Sequence, residues 1–304
     1  MTNSIECITI VGAGPIGRSW AALFLEKGLK VHLIDLNEII LDEAHAWLQE
    51  TTEARDKLTL ARGYSDWPSD CEWVQECGPD DRAIKRAILS AVSEKASPDA
   101  IIASSCSTFD PIDLALDVKH PEQLLLVHPF NPPHVIPGVE VVPSQKTSHE
   151  VTNRATSFLR SIGRSPIVLK TYVEGLIINR LQGALMREAF SLYCDNIADI
   201  ASIDACIADG LALRWVSVGT FGTNHTNADG GIGEYFTKYA DWTEIMEGLA
   251  SSAPVFTPEF VAKLKHETQN HFGDASVSDL SKWRDRTVQA VLEQKKKDPR
   301  PGHG

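Results

Sequence analysis

Through the first half of the chain, apolar runs of four or five residues alternate with amphipathic stretches and are separated by glycine, proline or charge. Cys7-Ile-Thr-Ile-Val11 reads as a buried strand. A glycine cluster follows, then a helix from about Arg18 to Lys27 and a second strand at Val31-His-Leu-Ile-Asp35, which together make a βαβ unit. A helical pattern covers Ile39 to Glu50, and the polar stretch to about Asp70 reads as irregular. Strand-like Trp73-Val-Gln-Glu76, a helix near Arg82 to Lys95 and a strand near Ala100 to Ser104 continue the alternation. Leu124 to His128 and Val139 to Val142 are two further strands. Between them Pro129-Phe-Asn-Pro-Pro-His-Val-Ile-Pro137 cannot be helical inside.

From about Tyr172 the alternation stops and helical patterns take over, as in Leu176 to Ala198 and Ile203 to Leu211. The expected fold class is therefore α/β: a mostly parallel, doubly wound sheet over residues 1–170 followed by an all-helical domain over 171–294. Ligands are expected in the cleft between the two. Residues 295–304 combine charge, proline and glycine with nothing to bury, and read as a disordered tail.

Composition narrows the function. With 29 basic against 41 acidic side chains, the net charge of −12 disfavours nucleic acid and anionic membrane as partners. No run reaches the length of a membrane span, and the start Met1-Thr-Asn-Ser lacks the basic residues of a signal peptide, so a cytoplasmic protein is expected. The six cysteines are scattered without a Cys-x-x-Cys pair, which predicts reduced thiols and neither a disulfide framework nor a metal site.

Three groups of residues point to chemistry. Gly12-Ala-Gly14-Pro15-Ile16-Gly17 follows a strand and opens a helix, a geometry that brings backbone amides and a helix N-terminus against a pyrophosphate. Asp35 ends the next strand 18 residues after Gly17, where a carboxylate accepts from both adenosine ribose hydroxyls and repels a 2′-phosphate. NAD is favoured over NADP. The competing reading is a glycine turn needed only for close helix packing.

His128 ends one strand and Glu140 lies 12 residues further on the next, so a hairpin-like return would bring them together. A carboxylate on one imidazole nitrogen fixes the tautomer and leaves the other nitrogen to take a hydroxyl proton. The alternative is a hydrogen-bonded core histidine beside an exposed glutamate. Ser104-Ser-Cys-Ser107-Thr follows a strand at the edge where the crevice of a parallel sheet lies, and Ser107 is a candidate to hold a substrate oxygen; its hydroxyl equally suits a helix cap. Nothing around Cys106 suggests a nucleophile.

At these residues the chain resembles the 3-hydroxyacyl-CoA dehydrogenase superfamily, most closely its L-gulonate 3-dehydrogenase and lambda-crystallin branch. The resemblance is carried by Gly12 to Trp20, Val74-Gln-Glu-Cys77, Ser104 to Thr108, His128-Pro-Phe-Asn-Pro-Pro133, Val139-Glu-Val-Val-Pro143, Gly175-Leu-Ile-Ile-Asn-Arg-Leu-Gln182 and Asp209-Gly-Leu-Ala-Leu-Arg214. It implies a Rossmann-type N-terminal domain that binds NAD through Gly12, Gly14, Pro15, Ile16, Gly17, Asp35, Glu76 and Ser105. It also implies that Ser107 binds the substrate oxygen, His128 is the general base, Glu140 its partner and Asn179 the residue that polarises and positions the reacting group. The reaction implied is oxidation of the 3-hydroxyl of a small polar 3-hydroxy acid, with a small-molecule substrate and a homodimer formed through the helical domain.

Two departures bear on the substrate. Relatives that use CoA thioesters carry a longer helical excursion after the second strand, whereas 37 residues separate Asp35 from Trp73 here. Gly138 stands where the branch has an aliphatic residue, which is expected to widen the pocket or loosen the turn. Arg214 is a candidate clamp for a substrate carboxylate, with an ion pair in the helical domain as the alternative. A 3-hydroxyacyl-CoA dehydrogenase and an NAD-binding structural protein of crystallin type are the competing readings. A serine hydrolase is disfavoured because no Gly-x-Ser-x-Gly elbow is present.

Overall fold

A run of five apolar or β-forming residues suits a strand covered on both faces, and Cys7–Val11 (β1) is buried at every position. The structure is a computed structural model that describes residues 5–68, 70–229, 231–238, 242–249 and 276–297, with single positions between 257 and 266. Beside β1 lie β2 (Lys30–Ile34), β3 (Leu58–Ala61), β4 (Trp73–Glu76), β5 (Ile101–Ser104), β6 (Leu124–Pro129), β7 (Gly138–Pro143) and β8 (Ser165–Val168). They form an eight-stranded sheet in the order β3-β2-β1-β4-β5-β6-β7-β8. Every pair is parallel except β6 with β7, which run antiparallel with His128 opposite Glu140. The chain first builds outward from β1 to β3 and then returns to β4, so the strand order reverses at β1. In such sheets the ligand crevice lies at the carboxyl ends of the strands around that reversal.

The helix after β1, α1 (Pro15–Glu26), starts three residues before the expected Arg18. Pro15 sits in its first turn, where no amide hydrogen is required and its fixed φ suits the helix. Helices α2 (Glu38–Thr51) and α3 (Arg82–Lys95) are capped by the side chains of Asn37 and Asp81, each accepting from two backbone amides. After the short α4 (Pro111–Leu114), α5 (His149–Ser161) is capped by Ser148. On one face of the sheet Trp20 stacks on Phe24 at 5.2 Å, Phe24 on Phe158 at 6.1 Å, and Trp73 meets Phe158 at 4.9 Å. These rings anchor α1 and α5 to the sheet, each fully buried aromatic side chain being worth about 1.5–3 kcal/mol of transfer free energy.

Two strands lie outside the expected elements. β3 falls in the stretch read as irregular, and β8 precedes the predicted boundary near residue 170. By contacts the chain divides into the units Met1–Ile178 and Asn179–Gly304. Helix α6 (Leu176–Cys194) begins in the first and continues into the second, whose described residues are helices joined by turns, with no strand among them. It holds α7 (Ile200–Ala205), a π-helical stretch Cys206–Leu211, α8 (Ala212–His225), α9 (Gly231–Lys238), α10 (Trp242–Glu247) and α11 (Val277–Lys297). The expected tail 295–304 needs correction at its start, because Lys295–Lys297 form the last turn of α11, where lysines oppose the negative end of the helix dipole. Residues 298–304 lie outside the described residues.

Candidate active site

The glycine turn between β1 and α1 has a separate steric reason for each glycine. Gly12 has φ +103°, and a Cβ there would stand 2.5 Å from the Cys77 carbonyl oxygen. A Cβ on Gly17 would meet the Gly12 carbonyl oxygen at 1.8 Å, so close approach of helix to turn requires both. A Cβ on Gly14 would meet nothing within 4 Å. That face of the turn is open, as a pyrophosphate lying against the start of α1 requires. Pro15 is exposed and Ile16 half-buried beside the same opening.

Asp35 stands just past β2 and ties the turn down. Its Oδ2 accepts from Ala13 N at 2.7 Å and its Oδ1 from Asn37 N at 2.8 Å. The carboxylate is thereby fixed at the end of β2, where a ribose diol meets it in a dinucleotide fold, and each oxygen keeps acceptor capacity.

Glu76 and Ser105 occupy the neighbouring strand ends. Glu76 is fully buried, with Lys85 Nζ 3.1 Å and 3.3 Å from its two oxygens, and Gly78 N and Ser104 Oγ also donate to it. Glu76, expected at the cofactor site, is thereby fixed at the end of β4 and holds the Cys77–Gly78 turn, against which Gly12 packs. Lys85 also donates to the Gly78 carbonyl at 3.1 Å. Ser105 Oγ accepts from Gln75 Nε2 at 2.9 Å and lies 3.2 Å from Cys77 Sγ. Burial pushes the Cys77 thiol up to about 12 and also raises Cys106, so neither is a nucleophile near neutral pH.

One strand further on, the β6–β7 register places the predicted base against its partner. His128 Nδ1 is 3.0 Å from Glu140 Oε2, with Glu140 fully buried and the histidine side chain 15% exposed. The other glutamate oxygen, Oε1, accepts from Ile177 N at 2.7 Å and Ile178 N at 3.0 Å, two amides of the first turn of α6. These amides and the positive end of the helix hold the carboxylate as an acceptor. Nδ1 of His128 is therefore the donor, and Nε2 is left with a lone pair.

Ser104 pairs with Leu126, which puts half-buried Ser107 and His128 beyond that pair, at the carboxyl edge of β5 and near the end of β6. Asn179 follows Ile178 directly on α6 and belongs to the second unit, as does exposed Arg214 on α8. Gly138 neither widens a pocket nor loosens the turn, because the ring of Phe130 fills the space a side chain would take. A Cβ on Gly138 would lie 2.5 Å from Phe130 Cδ2. The same ring meets His128 edge-on at 6.4 Å.

Sequence reading missed the residues that hold this site in place. Arg164 donates to the carbonyls of Pro133 at 3.0 Å and Ile136 at 3.2 Å, fixing the proline-rich connection after His128. Ser19 Oγ on α1 lies 2.7 Å from His134 Nδ1 in that connection. Lys85 alone left a readable signal. It falls on the stripe Lys85-Leu89-Val92, and a lysine in step with buried positions needs a buried partner.

The glycine turn fixed to Asp35, together with a histidine–carboxylate pair at the same edge of a parallel sheet, defines an NAD-binding dehydrogenase. Residues 7–172 match the NAD-binding domain of 3-hydroxyacyl-CoA dehydrogenase, and residues 175–255 match the C-terminal domain of the same family. The chain belongs to the 3-hydroxyacyl-CoA dehydrogenase family and is an NAD-dependent oxidoreductase acting on a CH–OH group. It is 30% identical to an L-carnitine dehydrogenase of Oceanobacillus iheyensis over 94% of this chain and 97% of the relative. With a lambda-crystallin homolog of Bos taurus it shares 33% identity over 83% of this chain and 82% of the other. Its fold is that of the NAD+-dependent 5-formyl-3-hydroxy-2-methylpyridine 4-carboxylic acid 5-dehydrogenase, with a TM-score of 0.81 over 97% of this chain and 99% of that one at 24% identity.

Proposed function

We propose that the chain oxidises the 3-hydroxyl of a small polar 3-hydroxy acid, of L-gulonate type, to the 3-keto acid, with His128 as general base. The observation that carries this reading is the 3.0 Å contact between His128 Nδ1 and Glu140 Oε2, with Glu140 itself held by the amides of α6. Nε2 takes the hydroxyl proton as the carbon–oxygen double bond forms, and Glu140 stabilises the imidazolium that results. Bound NAD supplies the acceptor for the hydride that leaves C3. Ser107 holds the substrate oxygen, Asn179 helps to polarise and position the reacting group, and Arg214 receives the carboxylate. Glycines 12, 14 and 17 with Pro15 and Ile16 seat the pyrophosphate, Asp35 takes the adenosine ribose, and Ser105 with Glu76 supports the nicotinamide end.

A free acid is favoured over a CoA thioester because, among the described residues, the excursion from Asp35 to Trp73 holds one α-helix, α2 of 14 residues, followed by the short β3. L-Carnitine, named in the relative from Oceanobacillus iheyensis, is also a small 3-hydroxy acid and belongs to the same substrate class. The six free thiols fit a cytoplasmic setting, and the exposed apolar side chains of the helical unit fit a homodimer. The test is NADH formation on L-gulonate, L-carnitine, 3-hydroxybutyrate and a 3-hydroxyacyl-CoA. Turnover of the free acids well above that of the thioester supports the reading; the reverse order assigns the chain to acyl-CoA oxidation.

A further inference from the structure

At the amino end of the strands, opposite the glycine turn, three donors of different chemistry converge. Cys7 opens β1, His32 lies in the middle of β2, and Asp70 stands in the loop before β4. One ligand atom from each lies within 4.8 Å of the other two, and the edge between Cys7 Sγ and Asp70 Oδ1 is 3.6 Å. His32 Nδ1 is buried and without a hydrogen-bond partner, an unmet polar group of the kind that protein interiors rarely retain.

We propose that Cys7, His32 and Asp70 form a binding site for one Zn2+-class divalent ion, with its fourth position open to water. A thiolate, an imidazole and a carboxylate together are a donor set for a borderline metal such as zinc, and three protein ligands plus water are its usual tetrahedral arrangement. With metal–sulfur bonds near 2.3 Å and metal–nitrogen or metal–oxygen bonds near 2.0–2.1 Å, ligand edges in such a site run to roughly 3.3–3.8 Å. The Cys7–Asp70 edge already falls in that range, so closure needs about 1.5 Å at most along the remaining edges. Cys71 is not the fourth ligand, because its thiol is committed to the Trp73 carbonyl at 3.3 Å.

The charge at this place has a cation already. Lys30 Nζ lies 3.4 Å from Asp70 Oδ2 on a side chain 59% exposed, free to swing into solvent when an ion enters. Burial holds the His32 imidazole below its ordinary value and therefore neutral, the form in which it ligates. Without an ion the Cys7 thiol keeps its proton and donates to Asp70. The 25 residues from Cys7 to His32 and the 38 from His32 to Asp70 match no short ligand motif, which is why the set is invisible in the sequence. An ion here would pin β1, β2 and the loop before β4 together on the side of the sheet away from the reaction.

The test uses the full chain carrying Cys194→Ser and Cys206→Ser, which removes the two exposed thiols, stripped with chelator and titrated with ZnCl2 and CoCl2. One ion per chain is expected, and bound Co2+ should show a near-ultraviolet thiolate charge-transfer band with visible bands of tetrahedral intensity. Cys7→Ser should abolish the charge-transfer band. His32→Gln and Asp70→Asn, at less buried positions, should each weaken binding by more than roughly tenfold, whereas Lys30→Gln should tighten it by roughly three- to tenfold. A chain that holds no ion, a cobalt spectrum without the thiolate band, or affinities unmoved by His32→Gln and Asp70→Asn would overturn the site.

Discussion

Glu140 and Ile178 are joined by a 3.0 Å hydrogen bond from the α6 amide to Oε1, while the other oxygen of the same carboxylate takes Nδ1 of His128. One buried acid thus orients the imidazole and closes the start of the helix that carries Asn179. Three donors share it, so its substitution has separable consequences for chemistry and for stability.

His128→Ala or His128→Gln should lower kcat by about 100-fold to 10,000-fold while NAD affinity stays within a factor of two or so, since the base acts on substrate and not on the dinucleotide. Glu140→Gln should reduce kcat less severely than loss of the histidine. Its amide can keep accepting from Ile177 and Ile178 but can turn a donor towards Nδ1 and so favour the wrong tautomer. Glu140→Ala should in addition lower the melting temperature, because two helix amides lose their acceptor. Steady-state rates, cofactor titration and thermal melts on the same preparations separate these effects, and near wild-type kcat in the His128 variants would remove it from the role of base.

Asp35 performs two tasks, and two substitutions distinguish them. Asp35→Ala should weaken NAD by roughly tenfold or more, since it removes a charged acceptor and also the hydrogen bonds to Ala13 and Asn37 that hold the turn. Asp35→Asn keeps an acceptor for the turn and removes only the charge. It should bind NAD more tightly than the alanine variant and discriminate less against NADP, the repulsion of the 2′-phosphate being electrostatic. Titration of both cofactors decides this, and comparable NADP binding by the unaltered chain would release Asp35 from the role.

Gly138 and Phe130 form a matched pair beside the predicted base. Gly138→Ala forces the ring to move, at a cost of about 1–3 kcal/mol typical of overpacking. The ring it displaces is the one that meets His128 edge-on, so the change should raise KM several-fold and shift the preferred substrate size, with a smaller effect on kcat. The combined variant Gly138→Ala with Phe130→Leu should recover stability. A Gly138→Ala protein with unchanged KM and melting temperature would show that the ring has room to spare.

The elements legible in the sequence are those whose burial is two-sided or whose ends are capped. β1 and the helix Arg82–Lys95 could be read directly, as could the pairing of His128 with Glu140, because apolar runs, Asp81 and the proline-rich connection mark them. β3 and β8 could not. Each is four residues long and lies at an edge of the sheet, paired on one side only, and β8 also contains Pro166. An edge strand needs few apolar residues, and a proline is tolerated there, so the pattern that marks a strand is weak where it was missed. The supporting contacts of Arg164 were hidden for another reason: its partners are backbone carbonyls distant in sequence, which carry no periodic signature, whereas the stripe Lys85-Leu89-Val92 marks Lys85 as buried without naming Glu76 as its partner.

Two buried thiols, Cys7 and Cys71, and the half-buried Cys77 set an alkaline limit on stability. Burial, chiefly, pushes Cys7 and Cys77 up to about 12 and Cys71 to about 11 from an ordinary value of 9.0. The folded chain therefore holds these protons more tightly than the unfolded chain. The stability they contribute is complete below about 9 and is lost as pH rises from there towards 11 and 12. Melting temperature should fall over that range, and Cys77→Ala should flatten the fall. At pH 8 iodoacetamide should modify the exposed Cys194 and Cys206 while activity persists, and rapid inactivation through Cys77 would contradict the burial.

The last expectation concerns assembly. The segments around Leu176 to Leu185 and Val216 to Phe221 are more apolar than one helical layer requires, and Ile177 and Val216 are among their exposed side chains. Leu181 on α6 is 65% exposed, Leu213 and Phe221 on α8 are 62% and 79%, and Trp283 on α11 is 61% exposed. Isolated apolar side chains on a surface are ordinary, but a 19-residue helix, α6, with only Leu176 and Tyr193 buried is left largely uncovered by the described residues. A second copy offers a self-complementary surface of the same composition, and a two-fold arrangement closes without leaving an apolar edge for further growth. Light scattering at micromolar concentration should give about twice the chain mass of 33.4 kDa. Leu181→Glu with Phe221→Glu should convert it towards the single-chain mass, because burying unpaired carboxylates in an apolar interface costs more than the contact returns. A mass near 33.4 kDa that does not rise with concentration rules the dimer out.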